Sequence, residues 1–96
     1  MSFKLTSYYQ SNFQSYFKKT VGVNPSPFLV PFIDTMKKEE LGRVICDIGC
    51  GSGRDMLWLK ERGFSPVGFE KSVGLAMLAS RHSGCNVIVA DFEYFV

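Results

Sequence analysis

The chain has 96 residues, 46% of them hydrophobic and 15% aromatic, enough apolar surface for one small core and too little for two domains. A net charge of +2 is too weak to point to a nucleic acid or a membrane surface, and no apolar run approaches the ~20 residues of a membrane span. Three cysteines, Cys46, Cys50 and Cys85, are an odd count without scaffold spacing; with no secretory segment at the N-terminus, a reducing cytoplasm is the compartment that fits.

The spacing predicts a first helix over 8–20. Tyr9, Phe13, Tyr16 and Thr20 recur at helical intervals, with Phe17 beside the stripe. Such a stripe packs on the domain, or serves as a lid over a ligand site. A loop follows over 21–25. Ser26 then reads as an N-cap with Pro27 at the first helical position, and Phe28, Leu29, Phe32, Ile33 and Met36 give a broad apolar face. Pro31 cannot donate to the Pro27 carbonyl, so the first turn is expected to be kinked or loose. The charged run 37–40 is a solvated helix end, stopped at Leu41-Gly42.

A strand is expected over Val44–Ile48, apolar enough to be buried on both faces as in a parallel sheet. A helix over 52–62 follows, with Met56, Leu57 and Leu59 facing the sheet, Trp58 near that face, and Gly63 as its stop. A second strand covers 66–69 and ends at Glu70. Ser72 caps another helix, whose inward positions are Leu75, Met77, Leu78 and Ala79, and Gly84 ends it. The third strand is 86–90, ending at Asp91, and the remainder, Phe92–Val96, is apolar and aromatic. Strands alternating with helices in the order α-α-β-α-β-α-β are the pattern of right-handed parallel βαβ units, hence an α/β fold.

Between the first strand and its helix lies Asp47-Ile48-Gly49-Cys50-Gly51-Ser52-Gly53-Arg54. Glycines at alternate positions allow a sharp turn and close approach of a ligand to the backbone, and the following helix aims its unpaired N–H groups at that turn. This is the ligand-binding corner of a Rossmann-like domain. Asp47, Glu70 and Asp91 each sit where a strand ends, on the edge where parallel sheets hold their ligands. Glu70 also follows the Gly-loop by about the interval at which such folds place an acid on ribose hydroxyls. A carboxylate only accepts, and a vicinal diol offers two donors. A dinucleotide fingerprint needs its third glycine at position 54, which is Arg54, and a P-loop needs G-K-[ST], which is absent. Cys46 and Cys50 with only Cys85 and His82 elsewhere do not make a zinc site.

The run 45–53 resembles motif I of the class I S-adenosylmethionine-dependent methyltransferases. The Gly-loop, the acid after strand 2 and Asp91-Phe92 after strand 3 are also in that family's order. More narrowly, the chain is similar to small bacterial-type members whose motif I runs DxGCGSGRD, preceded by an aromatic-x-x-Thr element, here Phe17-Lys18-Lys19-Thr20. The resemblance covers about Tyr8 to Phe95. It implies S-adenosyl-L-methionine as cofactor. The backbone of Gly49, Cys50 and Gly51 would lie against its methionine portion, with Gly53 completing the loop and Asp47 receiving its ammonium. Glu70 would hold the ribose hydroxyls, Lys71 would line the adenine pocket, Asp91 would accept from the adenine amino group, and the Phe92 backbone would meet the ring. Arg54 is a partner for the cofactor carboxylate, or else an exposed first-turn residue; Phe17 and Thr20 would close over the site. No catalytic side chain and no metal is implied, because such proteins align donor and acceptor rather than supply reacting groups.

The family fold is a three-layer α/β/α domain on a seven-stranded sheet of order 3-2-1-4-5-7-6. This chain supplies strands 3-2-1: residues 1–42 as a helical cap and 43–96 as a Rossmann-like half. The resemblance therefore implies the cofactor-binding portion of a methyltransferase, a fragment or shortened product inactive alone, with a small-molecule methyl acceptor. The alternatives are a non-catalytic fragment pairing through the bare edge of strand 1, including as a homodimer, and a nucleotide-dependent oxidoreductase, against which Arg54 in place of glycine argues.

Overall fold

The computed structural model describes residues 3–91, with side chains from residue 12 onward. Four helices and three strands follow in the order α1 (Phe3–Thr20), α2 (Ser26–Lys38), β1 (Val44–Ile48), α3 (Arg54–Glu61), β2 (Ser65–Glu70), α4 (Val73–Ser83) and β3 (Val87–Val89). The three strands form one parallel sheet, β2 lying between β1 and β3. Among the described residues no helix is long and apolar enough to cross a membrane.

Right-handed crossovers along a sheet that grows in one direction put successive helices on the same face. Accordingly α3 packs on β2, α4 packs on β2 and β3, and the two helices touch each other. The core has two parts. Ile33 and Met36 of α2 meet Trp58 and Leu59 of α3 and Phe64, with Leu29 and Ile45 against them; Cys50, Met56, Ala79 and Cys85 form the second, with Val87 against it. The large aliphatic and aromatic members, Ile33, Met36, Met56, Leu59 and Phe64, each contribute about 1.5–3 kcal/mol.

Residues paired across a sheet share a face. Val44, Cys46 and Ile48 pair with Ser65, Val67 and Phe69, and Phe69 pairs with Ile88. That face carries no helix among the described residues. Val44 is 70% exposed and Ile48 59%, so β1 is not the doubly buried strand its composition predicts: it is half-buried on the helix side and exposed on the other. The opposite face presents Ile45, Pro66, Gly68 and Glu70 to the helices.

Local chemistry explains the element ends. Asn12 leaves the helical region (φ −121°, ψ 18°) and divides α1; asparagine competes with the helix for backbone bonds. Ser26 is not the N-cap of α2. Pro25 occupies that place, and the Asn24 side chain accepts from both the Ser26 N–H and its hydroxyl. The helix runs through Pro31 to Lys38. It closes in a Schellman turn, Leu41 N–H to Met36 O at 3.0 Å and Glu40 N–H to Lys37 O at 3.3 Å, with Glu40 rather than a glycine in the left-handed region (φ 54°). Gly63 and Gly84 end α3 and α4, and the Ser72 hydroxyl caps α4 by accepting the Leu75 N–H at 3.3 Å. The predicted inward residues need two corrections. Met77 is half exposed, and its place is taken by Ala76; Leu57 is only partly covered, while Trp58 is buried.

Candidate functional site

The loop between β1 and α3 is pinned from below. The N–H groups of Gly49 and Cys50 both donate to the Phe69 carbonyl, at 2.7 and 3.0 Å, and the Gly53 N–H closes a tight turn onto the Cys50 carbonyl. Gly49, Gly51 and Gly53 all have positive φ (74°, 57° and 80°), which is why alternate glycines are needed here. They differ in what surrounds them. A Cβ on Gly49 would meet nothing within 4 Å, whereas one on Gly53 would lie 2.8 Å from the Ala79 carbonyl oxygen. Gly53 is thus a packing glycine between α3 and α4, and Gly49 faces open space.

Above the loop is a cavity of about 110 Å³. Its floor is Gly49, Cys50, Gly51 and Ser52; Asp47 enters from β1, Arg54 and Asp55 from α3, and Tyr16 and Thr20 from α1. Six of the residues expected from sequence therefore meet here: Thr20, Asp47, Gly49, Cys50, Gly51 and Arg54. Three lining residues were missed. Tyr16 belonged to the aromatic stripe but without a site role, Asp55 is the acid in the first turn of α3, and Ser52 carried no separate signal.

Charge in the cavity is predominantly negative. Burial pushes the Asp47 carboxyl up to about 6, with the Asp55 carboxylate adding to the rise, the Arg54 guanidinium opposing it and Glu70 adding further. A carboxyl raised in this way is stabilised as an anion by any cation placed beside it. Arg54 is partly spent on its neighbour, Nε donating to Asp55 Oδ1 at 2.8 Å, and its guanidinium lies over the Phe28 ring, 5.6 Å from the centroid. The Cys50 thiol points into the core, where burial pushes it up to about 12, the Asp47 and Glu70 carboxylates contributing. It is not a nucleophile at neutral pH; its backbone is what the cavity meets.

The other expected residues that the structure describes lie outside that cavity. Glu70 is buried beneath the loop, Oε1 accepting the Gly51 N–H at 3.1 Å and Oε2 the Ser72 N–H at 2.9 Å. Each oxygen keeps a second lone pair, but the carboxylate is already a strut between the Gly-loop and the start of α4. Phe17 turns away from the loop and meets His82 edge to face, with centroids 5.8 Å apart. Lys71 and Asp91 are half-buried just beyond the ends of β2 and β3. Phe92 lies outside the described residues. Among those described, no group of three or more His, Cys, Asp or Glu could hold a metal ion, and all three cysteines are free thiols.

Compared with known proteins, the chain matches no family model and no curated protein.

Proposed function

We propose that the chain is the cofactor-binding portion of an S-adenosyl-L-methionine-dependent methyltransferase, acting in the cytoplasm on a small-molecule acceptor. One observation carries the proposal. A Gly-loop at the carboxyl end of a parallel strand opens into a cavity that holds carboxylates and a guanidinium together: Asp47 and Asp55 beside Arg54. An α-amino acid head needs that pairing, acceptors for its ammonium and a planar donor for its carboxylate. The open space at Gly49 is where a ligand could lie against the backbone. Bound there, the cofactor would supply a methyl group on a sulfonium centre. The chain's own residues would hold the head group at Asp47 and Arg54 and exclude water beneath Tyr16 and Thr20. Lys71, Asp91 and Phe92 would receive the base, and the spare lone pairs of Glu70 the ribose.

Calorimetric titration of the chain with S-adenosylmethionine, S-adenosylhomocysteine and NAD tests this. Binding of the first two and not the third is the expected result. Binding of NAD alone overturns it.

A second reading is favoured by the place of β1 at the edge of the described sheet, with Val44 and Ile48 exposed on it. A fragment without catalytic function would pair along that edge, with a second copy or another strand. Sedimentation of the wild type against Ile48→Lys separates the two: a dimer that the lysine dissolves, with no cofactor binding, supports pairing.

A further inference from the structure

Resting on the cofactor site proposed above, we infer that the segment of α1 beyond Asn12 is a wall of that site, and that Tyr16 is its positioning residue. Phe13, Tyr16, Phe17 and Thr20 fall on one face of a helix, and each has a place to go. A Cβ on Gly74 of α4 would lie 2.5 Å from the Phe13 ring, and a Cβ on Gly51 would lie 3.3 Å from the Tyr16 ring. Two glycines from separate elements are thus sockets for two aromatic rings of one helix. Phe17 adds the edge contact with His82, and Thr20 reaches the cavity.

Past its break at Asn12 this segment is only about two turns long, too short to be helical on its own in water. Its order therefore depends on its packing against α4 and the Gly-loop. What loosens Phe13 on Gly74 also lifts Tyr16 from Gly51, and a ligand held beneath Tyr16 and Thr20 ties α1 down. The coupling is reciprocal.

Gly74→Ala is the test in the full chain. Alanine favours α4 by its helix propensity, so any loss comes from displacing Phe13. In the free protein, amide hydrogen exchange of Tyr16 to Thr20 and of Gly51 to Gly53 is expected to rise together, by about tenfold. Affinity for S-adenosylhomocysteine is expected to fall by about tenfold, as it does in Tyr16→Ala, which removes the ring. Phe13→Ala, which undocks the helix without a clash, repeats the measurement if Gly74→Ala does not fold. Faster exchange in α1 with none in the Gly-loop overturns the inference, as does unchanged affinity in a chain that binds. A wild type that binds neither cofactor form, yet whose loop exchange answers to Gly74→Ala, removes the cofactor reading and leaves the wall standing.

Discussion

Glu70 and Gly51 are joined across the sheet edge: a carboxylate at the end of β2 accepts the backbone N–H of the loop after β1, at 3.1 Å. Its other oxygen takes the Ser72 N–H at 2.9 Å, so one buried side chain ties the Gly-loop to the cap of α4. Charge-assisted bonds of this kind contribute more than neutral ones. Glu70→Gln keeps the shape but turns an NH₂ toward one of two backbone donors. It is expected to cost about 1–3 kcal/mol, read from urea denaturation. A cost near zero shows that the strut does not carry load.

Asp47 gives the site a pH dependence whose sign follows from its raised value, about 6 against an ordinary 3.8. Through that window the folded chain keeps a proton that the unfolded chain has released. Stability contributed by the neutral carboxyl is full at low pH, falls as pH rises through the window and stays lower above it. Asp47→Asn removes the penalty. With allowance for solvent screening, the variant is expected to be more stable than wild type by about 1 kcal/mol near neutrality and equal to it at acid pH. Above the window it should also bind a cationic ligand less well. Urea midpoints of both proteins at the two pH values check the first part; a variant no more stable than wild type near neutrality contradicts it.

Glu40 occupies a glycine's position. It holds φ 54° at the close of α2, where a side chain crowds the following carbonyl. Glu40→Gly is expected to stabilise the chain by about 1 kcal/mol, seen as a higher thermal midpoint with no change in ligand binding. An unchanged or lower midpoint shows that the backbone entropy of the new glycine offsets the relieved strain.

Local chemistry was legible in the sequence where one residue decides the outcome. Ser72, Gly63 and Gly84 end or cap their helices because a hydroxyl or an absent Cβ is required at those points, and the alternation of strands and helices gave the parallel α/β sheet. What escaped is what depends on distant partners. The run Leu75-Ala76-Met77-Leu78-Ala79 is apolar throughout, so periodicity cannot choose its buried face; packing on the sheet puts Ala76 inside and leaves Met77 half exposed. Tyr16 and Phe17 are adjacent aromatics about 100° apart on a helix, and only the position of α4 sends Phe17 to His82 and Tyr16 to Gly51. An acid after β2 was visible, but its bond to a loop 19 residues away was not. The apolar run of β1 implied cover on both faces, a property of a whole sheet that the strand's own residues cannot supply.

Gly53 and Gly49 separate folding from binding. Both have left-handed φ, so alanine strains either one by about 1–2 kcal/mol. At Gly53 the new Cβ also meets the Ala79 carbonyl oxygen at 2.8 Å and Cα at 3.1 Å; backbone cannot step aside, and α3 and α4 must part. Gly53→Ala is expected to cost about 3 kcal/mol or more, appearing as a large fall in urea midpoint. At Gly49 nothing obstructs the Cβ, so Gly49→Ala should cost only the strain. The methyl instead enters the space assigned to the ligand, and affinity for S-adenosylhomocysteine is expected to fall by about tenfold or more. A Gly49→Ala chain that binds as tightly as wild type makes that glycine a turn residue alone, and removes the backbone approach on which the cofactor proposal depends.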